Sequence, residues 1–242
     1  MLKQSDAVVG VVKDTRRILG ALRHSSLGPN GRLIRRYLET HEVRKLQIGA
    51  GPTALDGWLC TDIDPKSETT AYLDATKPFP FEEGTFDYIY SEHMIEHIPW
   101  REGLFMLREC RRVLKPGGVL RVATPDLKVL LDLYAGPHKP VEERYIHWIT
   151  DTFLDGVKVY KPSFVINNAF HNWGHQFLYD AELLAMALRE AGFTDIRQWP
   201  TGESDDPALR GIESHGRNIA DDDMAAFETM VFEARPAESH AH

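Results

Sequence analysis

The sequence predicts an α/β fold of the doubly wound kind, a mainly parallel sheet with helices on both faces. Two observations carry that expectation. From Lys45 onward, short β-type runs alternate with turns or helical stretches, the order that builds parallel sheets with helical crossovers. Four features then fall at the ends of those runs: the Gly49 loop, Asp62, Asp74 and Ser91–His93. Sheets of this type bind ligands outside the carboxyl ends of their strands.

The elements follow in order. Val8, Val12, Thr15, Leu19 and Leu22 recur at spacings of four and three, with Lys13, Arg16, Arg17 and Arg23 elsewhere. This is an amphipathic helix with a basic outer face, weakened by Gly10 and Gly20 at about 1 kcal/mol each relative to Ala. Leu27-Gly28-Pro29-Asn30-Gly31 is a break, and a second helix over about 32–40 completes a helical arm, residues 1–43. The main domain, 44–242, opens with the strand Leu46-Gln47-Ile48. Trp58–Thr61, Ala71–Leu73 and Phe86–Tyr90 follow as strands two to four. A helix runs from about Trp100 to Leu114 and stops at Lys115-Pro116-Gly117-Gly118, a cation followed by helix-ending residues. Val119–Ala123 is the fifth strand. An insertion of about 126–180, with a helical stretch at Glu142–Thr150, separates it from the helix Ala181–Ala191. Asp195–Gln198 and Phe227–Glu233 close the chain as β runs.

Composition excludes several classes. Hydrophobic residues make up 43% and charged residues 26%, which rules out disorder and collagen-like repeats. No run approaches the ~18 apolar residues of a membrane span. Ala7–Val12 meets Lys13 and Asp14 too soon for a secretory leader, and Cys60 and Cys110 are expected to be reduced. A cytoplasmic location is the expectation. The net charge of −8 divides into +6 over residues 1–45 and −14 over the rest. That balance does not suggest a nucleic-acid binder. The basic arm suits peripheral contact with an anionic surface or homodimer formation.

Gly49-Ala50-Gly51 after a strand lets a ligand approach the backbone closely. Asp62, at the end of the second strand, is placed to accept both hydroxyls of a ribose. It lies 13 positions after Gly49, whereas the nicotinamide pattern wants about 20. That spacing disfavours an NAD-dependent oxidoreductase.

Leu46–Gly51, Asp62, Asp74-Ala75-Thr76, Pro78-Phe79-Pro80-Phe81, Phe86–His93, Glu96-His97 and Leu107–Gly118 together resemble the ordered motifs of class I S-adenosylmethionine-dependent methyltransferases, of the type 11-like, small sugar- or natural-product-modifying branch. The resemblance implies a Rossmann-like seven-stranded sheet with an antiparallel closing strand. It implies S-adenosylmethionine as cofactor, with Gly49, Ala50 and Gly51 at the methionyl part and Asp62 on the ribose. Ile63 would pack on the adenine, Asp74 would bind the adenine amine beside Ala75, and Ser91 would lie near the sulfur. One departure is visible: seven residues separate Gly51 from Leu59 and seven lie between Asp64 and Tyr72. Parallel crossovers normally take about a dozen, so the first two helices must be reduced to turns or lost.

For the acceptor, Asn167–Asp180 is dense in donors, acceptors and aromatic faces, a combination that suits carbohydrate. His171 or His175 is the expected general base, with His93 as a further candidate; His97 reads as structural. Asp126 ends the fifth strand and could join the two histidines at a metal, but a hard cation prefers oxygen ligands and magnesium is not predicted. The expected activity is O-methylation of a sugar or glycan precursor. An N- or C-methyltransferase of a natural product and a non-catalytic methyltransferase-like interaction protein are the competing readings.

Overall fold

The computed structural model describes residues 28–215 and 221–237; the expected basic helix built on Val8–Leu22 lies outside them. Among the described residues seven strands form one sheet in the order β3-β2-β1-β4-β5-β7-β6. They are β1 (Lys45–Ile48), β2 (Leu59–Asp62), β3 (Ala71–Tyr72), β4 (Phe86–Glu92), β5 (Leu114–Pro125), β6 (Phe193–Trp199) and β7 (Thr229–Pro236). The pairs among β3, β2, β1, β4 and β5 are parallel, and β7 runs antiparallel to both β5 and β6. The single reversed strand is the closing strand expected. Strand order reverses between β1 and β4, so the crevice at their carboxyl ends is the topological switch point.

Burial explains why the central strands read as apolar runs. Leu46, Ile48, Ile89, Leu120 and Val122 are all buried, as strands covered on both faces require. Among the described residues the helices are α1 (Pro29–Thr40), α2 (Trp100–Val113), α3 (Leu127–Ala135), α4 (Pro140–Phe153), α5 (Pro162–His171), α6 (Ala181–Glu190) and α7 (Asp222–Glu228). The main core joins the sheet to α1, α2 and α6. A second core, built on Leu130, Tyr145, Ile149, Val165 and Met224, holds α3, α4, α5 and α7 together as a helical cap. No helix among the described residues is long and apolar enough to cross a membrane.

No helix occupies either short crossover, β1 to β2 or β2 to β3. Several boundaries differ from the sequence expectation. Helices α1, α4 and α5 each start on a proline, whose fixed φ and missing N–H suit the first helical position, so α1 and α4 begin earlier than expected. Residues Asn167–His171, the first part of the polar and aromatic segment Asn167–Asp180, belong to α5. Strand β5 begins at Leu114, paired with Phe86, and Lys115–Gly118 loops out before Val119 pairs with Tyr88. Phe227 and Glu228 end α7, and β7 begins only at Thr229.

Side chains tie loops to this frame. Glu109 of α2 accepts from the Phe79 N–H at 2.6 Å, and Arg112 donates to the Phe81 and Phe79 carbonyls at 2.8 and 3.1 Å. The Glu109–Arg112 pair itself closes at 2.6 Å. This anchors the Pro78–Phe81 segment while Phe79 and Phe81 enter the core. Fully buried Arg121 of β5 holds Glu213 and Glu233, each at 2.6 Å, and donates to the Glu203 carbonyl at 3.0 Å. On the other side of the sheet, the Asn30 amide of α1 accepts from the Tyr72 N–H at 2.7 Å and donates to the Tyr72 carbonyl at 3.4 Å.

Candidate functional site

At the carboxyl ends of β1, β2, β3 and β4 lies an open cleft of about 1420 Å³, more than a single drug-sized ligand needs. Gly49 and Gly51, with φ of 71° and 52°, turn the chain sharply out of β1. A Cβ on Gly49 would meet Met94 Cγ at 2.4 Å, whereas one on Gly51 would face open space. The Gly51 N–H donates to Asp62 Oδ2 at 2.9 Å, and Asp62 Oδ1 accepts from the Asp64 N–H at 2.8 Å. These two bonds fix the carboxylate at the mouth of the cleft, and each oxygen keeps a second lone-pair site.

Six of the eight expected cofactor residues line this cleft: Gly49, Gly51, Asp62, Ile63, Asp74 and Ala75. Ile63 is 42% exposed, an apolar face beside Asp62 suited to a flat ring. Asp74 is held by the Thr76 N–H and hydroxyl at 3.0 and 2.6 Å. Ala50 and Ser91 are buried and stand behind the lining. The Ser91 hydroxyl has no hydrogen-bond partner among the described residues. Pro29, Asn30 and Leu33 of α1 form a further wall. Sequence reasoning read them as a break and an arm, because nothing local signals a contact 42 positions away.

Of the three histidines put forward as catalytic, only His93 lines the cleft. It leaves β4 with φ of 45°, and its N–H donates to the Ala123 carbonyl at 2.9 Å. Nε2 lies 2.9 Å from Thr229 Oγ1, and the ring stacks on His215 at 3.8 Å. Burial holds His93 well below the usual histidine range, reinforced by His215, His175 and His97. His215 moves the other way: burial opposes its charge, but its 2.9 Å bond to Glu228 and the nearby carboxylates Glu228, Glu92 and Glu96 raise it. Tyr145 of the cap donates to the second oxygen of Glu228.

Beside His93 stands a second polar cluster. The 3-10 turn Ile95–His97 is stitched to the segment after α5, since Gln176 and Phe177 donate their N–H groups to the Glu96 carbonyl at 2.7 and 3.2 Å. Glu96 is fully buried, and burial raises its carboxyl to about 7 against the hydrogen bond from Thr124. His175 lies here, its ring edge-on to His97 at 4.9 Å. The two histidines expected to work together are therefore separated: His175 is one ring from the cleft, while His171, exposed at the end of α5, does not line it. The reason is helical. His171 closes α5, the chain turns at Trp173 and Gly174 with φ of 58° and 80°, and only His175 comes back toward β4. Asp126 does not join the histidines either; it caps α3 through the Lys128 N–H at 2.8 Å. Glu96 was visible in the sequence only within the Glu96-His97 motif, and Glu228 only within the closing β run.

Residues 54–122 match a family model described as a methyltransferase domain. Demethylmenaquinone methyltransferase of Staphylococcus aureus is 27% identical over 148 residues, which cover 56% of this chain and 54% of that protein. The chain thus spans about half the length of the curated relatives it matches. Among solved structures, a SAM-dependent methyltransferase from Archaeoglobus fulgidus aligns at 15% identity and TM-score 0.45, covering 85% of this chain and 92% of that one. Phosphoethanolamine N-methyltransferase 2 of Haemonchus contortus, in complex with S-adenosyl-L-methionine, aligns at 16% identity and TM-score 0.43, covering 86% and 52%. Residues 54–122 thus resemble a methyltransferase domain, and they lie within a sheet whose order is that of a Rossmann-like α/β fold.

Proposed function

We propose that this chain transfers the methyl group of S-adenosylmethionine to an oxygen of a polar small molecule, a sugar or glycan precursor. The observation that carries the reading is the convergence of Gly49, Gly51, Asp62, Ile63, Asp74, Ala75 and His93 on one cleft. The cofactor, when bound, supplies a methyl group on a sulfonium cation. Gly49 and Gly51 leave backbone exposed for its methionyl part, and Asp62 accepts the ribose hydroxyls with the lone pairs it retains. Ile63 covers one face of the adenine, and Asp74, beside Ala75, accepts from its amine.

An alcohol must lose its proton as it attacks, and this falls to His93. Its low proton affinity keeps the ring neutral near pH 7, the form able to take a proton. The helical cap of α3–α5 holds the acceptor. Gln176, whose side-chain amide is tied to the His97 carbonyl at 2.7 Å, and Trp173, 39% exposed, offer the hydrogen bonds and flat face a sugar uses. The basic segment before α1 serves contact between copies or with an anionic surface.

Calorimetric titration with S-adenosylhomocysteine tests the cofactor reading. Micromolar binding is expected, weakened about 10- to 100-fold in Asp62→Ala by the lost charged hydrogen bonds. In assays on sugar acceptors, His93→Ala should lower kcat about 10²- to 10⁴-fold with affinity for S-adenosylhomocysteine near wild type. Absence of binding would favour the non-catalytic interaction protein. Turnover on carbon or nitrogen acceptors and on no hydroxyl would replace the oxygen part of the reading.

A further inference from the structure

We propose that Glu96, His97 and His175 form a binding site for one divalent first-row transition-metal ion at the inner end of the cleft. One ligand atom from each lies within 4.8 Å of the other two. The independent observation is Glu96 itself. Its side chain is fully buried, Oε2 is satisfied by the Thr124 hydroxyl at 2.9 Å, and Oε1 has no hydrogen-bond partner among the described residues. A buried carboxylate oxygen without a partner is costly, and this one points among imidazoles. His97 Nε2 lies 3.9 Å away and His93 Nδ1 lies 3.5 Å away. Those separations are too long for hydrogen bonds. An ion about 2.0–2.2 Å from both Glu96 and His97 would draw their ligand atoms from that separation to roughly 3.0–3.4 Å.

Orientation points the same way. His175 uses Nδ1 on the Ala169 carbonyl at 2.8 Å, which leaves Nε2 as its lone-pair nitrogen. A backbone carbonyl behind the far ring nitrogen is how metal-binding histidines are commonly set. The Gln176 and Phe177 bonds to the Glu96 carbonyl clamp the two ligand-bearing segments together. The neighbouring group His93, His215 and Glu228 also gathers three ligand atoms, but its nitrogens are committed. His93 Nε2 is on Thr229 and His215 Nε2 is on Glu228, each at 2.9 Å, and the two rings stack nearly parallel, so their lone pairs do not converge.

Two imidazoles with one carboxylate favour a first-row transition ion over magnesium. Three protein ligands leave positions open for other groups, as catalytic sites do. If the methyltransferase reading holds, those positions face the acceptor, and the ion would grip its hydroxyl and lower its pKa beside His93. The binding claim does not depend on that role.

The test uses the full chain, stripped with a chelator and titrated with manganese, cobalt and zinc ions separately. The expected result is one equivalent bound per chain. Co²⁺ should give a ligand-field spectrum that changes in His175→Ala, and affinity should fall at least about 100-fold in His175→Ala and Glu96→Gln. S-adenosylhomocysteine titration of the same variants reports whether they have folded. Failure of the wild type to take up any of the three ions, or equal uptake by a folded His175→Ala, overturns the proposal. Ion binding without S-adenosylhomocysteine binding would sink the methyltransferase reading and leave the metal site standing.

Discussion

At the scale of single residues, Gly49 is the tightest point of the cleft. An alanine there would need both a left-handed backbone at φ 71° and room already taken by Met94 Cγ, 2.4 Å from the new carbon. Gly49→Ala is expected to cost about 1–3 kcal/mol of stability and to weaken S-adenosylhomocysteine binding at least tenfold. Gly51→Ala meets only the backbone penalty, so it should do less of both. Comparing the two by calorimetry and urea unfolding separates crowding from strain; equal effects would refute the crowding account. Glu109 carries a pH dependence. The Arg112 hydrogen bond, opposed in part by burial and helped by the Phe79 N–H, holds its carboxyl below the usual glutamate range. A lowered folded pKa stabilises the protein above the unfolded value, and that stability drains away as pH falls through the folded one. Glu109→Gln should therefore cost about 1–3 kcal/mol at pH 7, with the gap to wild type closing in urea melts carried progressively further below the usual glutamate range. A gap independent of pH would assign the loss to packing.

At the scale of elements, β5 holds the loop from Thr201 to Glu213 through one cation. Arg121 is fully buried between Glu213 and Glu233. A buried ion pair adds little net stability against an apolar replacement of all its partners, but removing one partner strands the rest. Arg121→Met should thus cost about 3–5 kcal/mol, and restoring balance with Glu213→Gln and Glu233→Gln in the same chain should recover part of it. Equilibrium unfolding of the single and triple variants reads this directly, and a neutral single variant would show that the pairs carry nothing. The 3-10 turn at Ile95–His97 is the corresponding device on the cleft side. Its carbonyl at Glu96 receives two N–H groups from the segment after α5, so the cap and the end of β4 meet at a fixed height. The cap has its own core, and this hydrogen-bonded seam is one place where it joins the sheet.

At the scale of the whole molecule, the sheet and the glycine and carboxylate wall of the cleft were legible because both depend on local pattern. Doubly covered strands read as apolar runs, and the glycines and carboxylates that ligands need fall directly after them. The missing crossover helices followed from counting seven residues where a dozen are needed. The histidine side of the cleft was less legible. His93 reaches Thr229 across 136 positions, Tyr145 reaches Glu228 across 83, and Glu92 receives Ser214 across 122. No local signal announces contacts of that length. His171 and His175 looked equivalent as two histidines four apart, yet a helix end and two left-handed residues turn one toward the cleft and leave the other outside. The pairing of Asn30 with Tyr72 has a consequence for how copies of this chain behave when crowded. Tyr72 sits on the outermost strand, and Asn30 takes both its N–H and its carbonyl, the groups another strand would use to extend the sheet. At the opposite margin, Asp195 adopts φ 48°, the register with β7 slips between Thr194 and Arg197, and Asp195 and Arg197 pair at 3.1 Å. Irregular backbone and charge obstruct strand addition there as well. Both margins of the sheet are sealed, one by a borrowed amide and one by a kink, and the fold is protected against edge-to-edge aggregation.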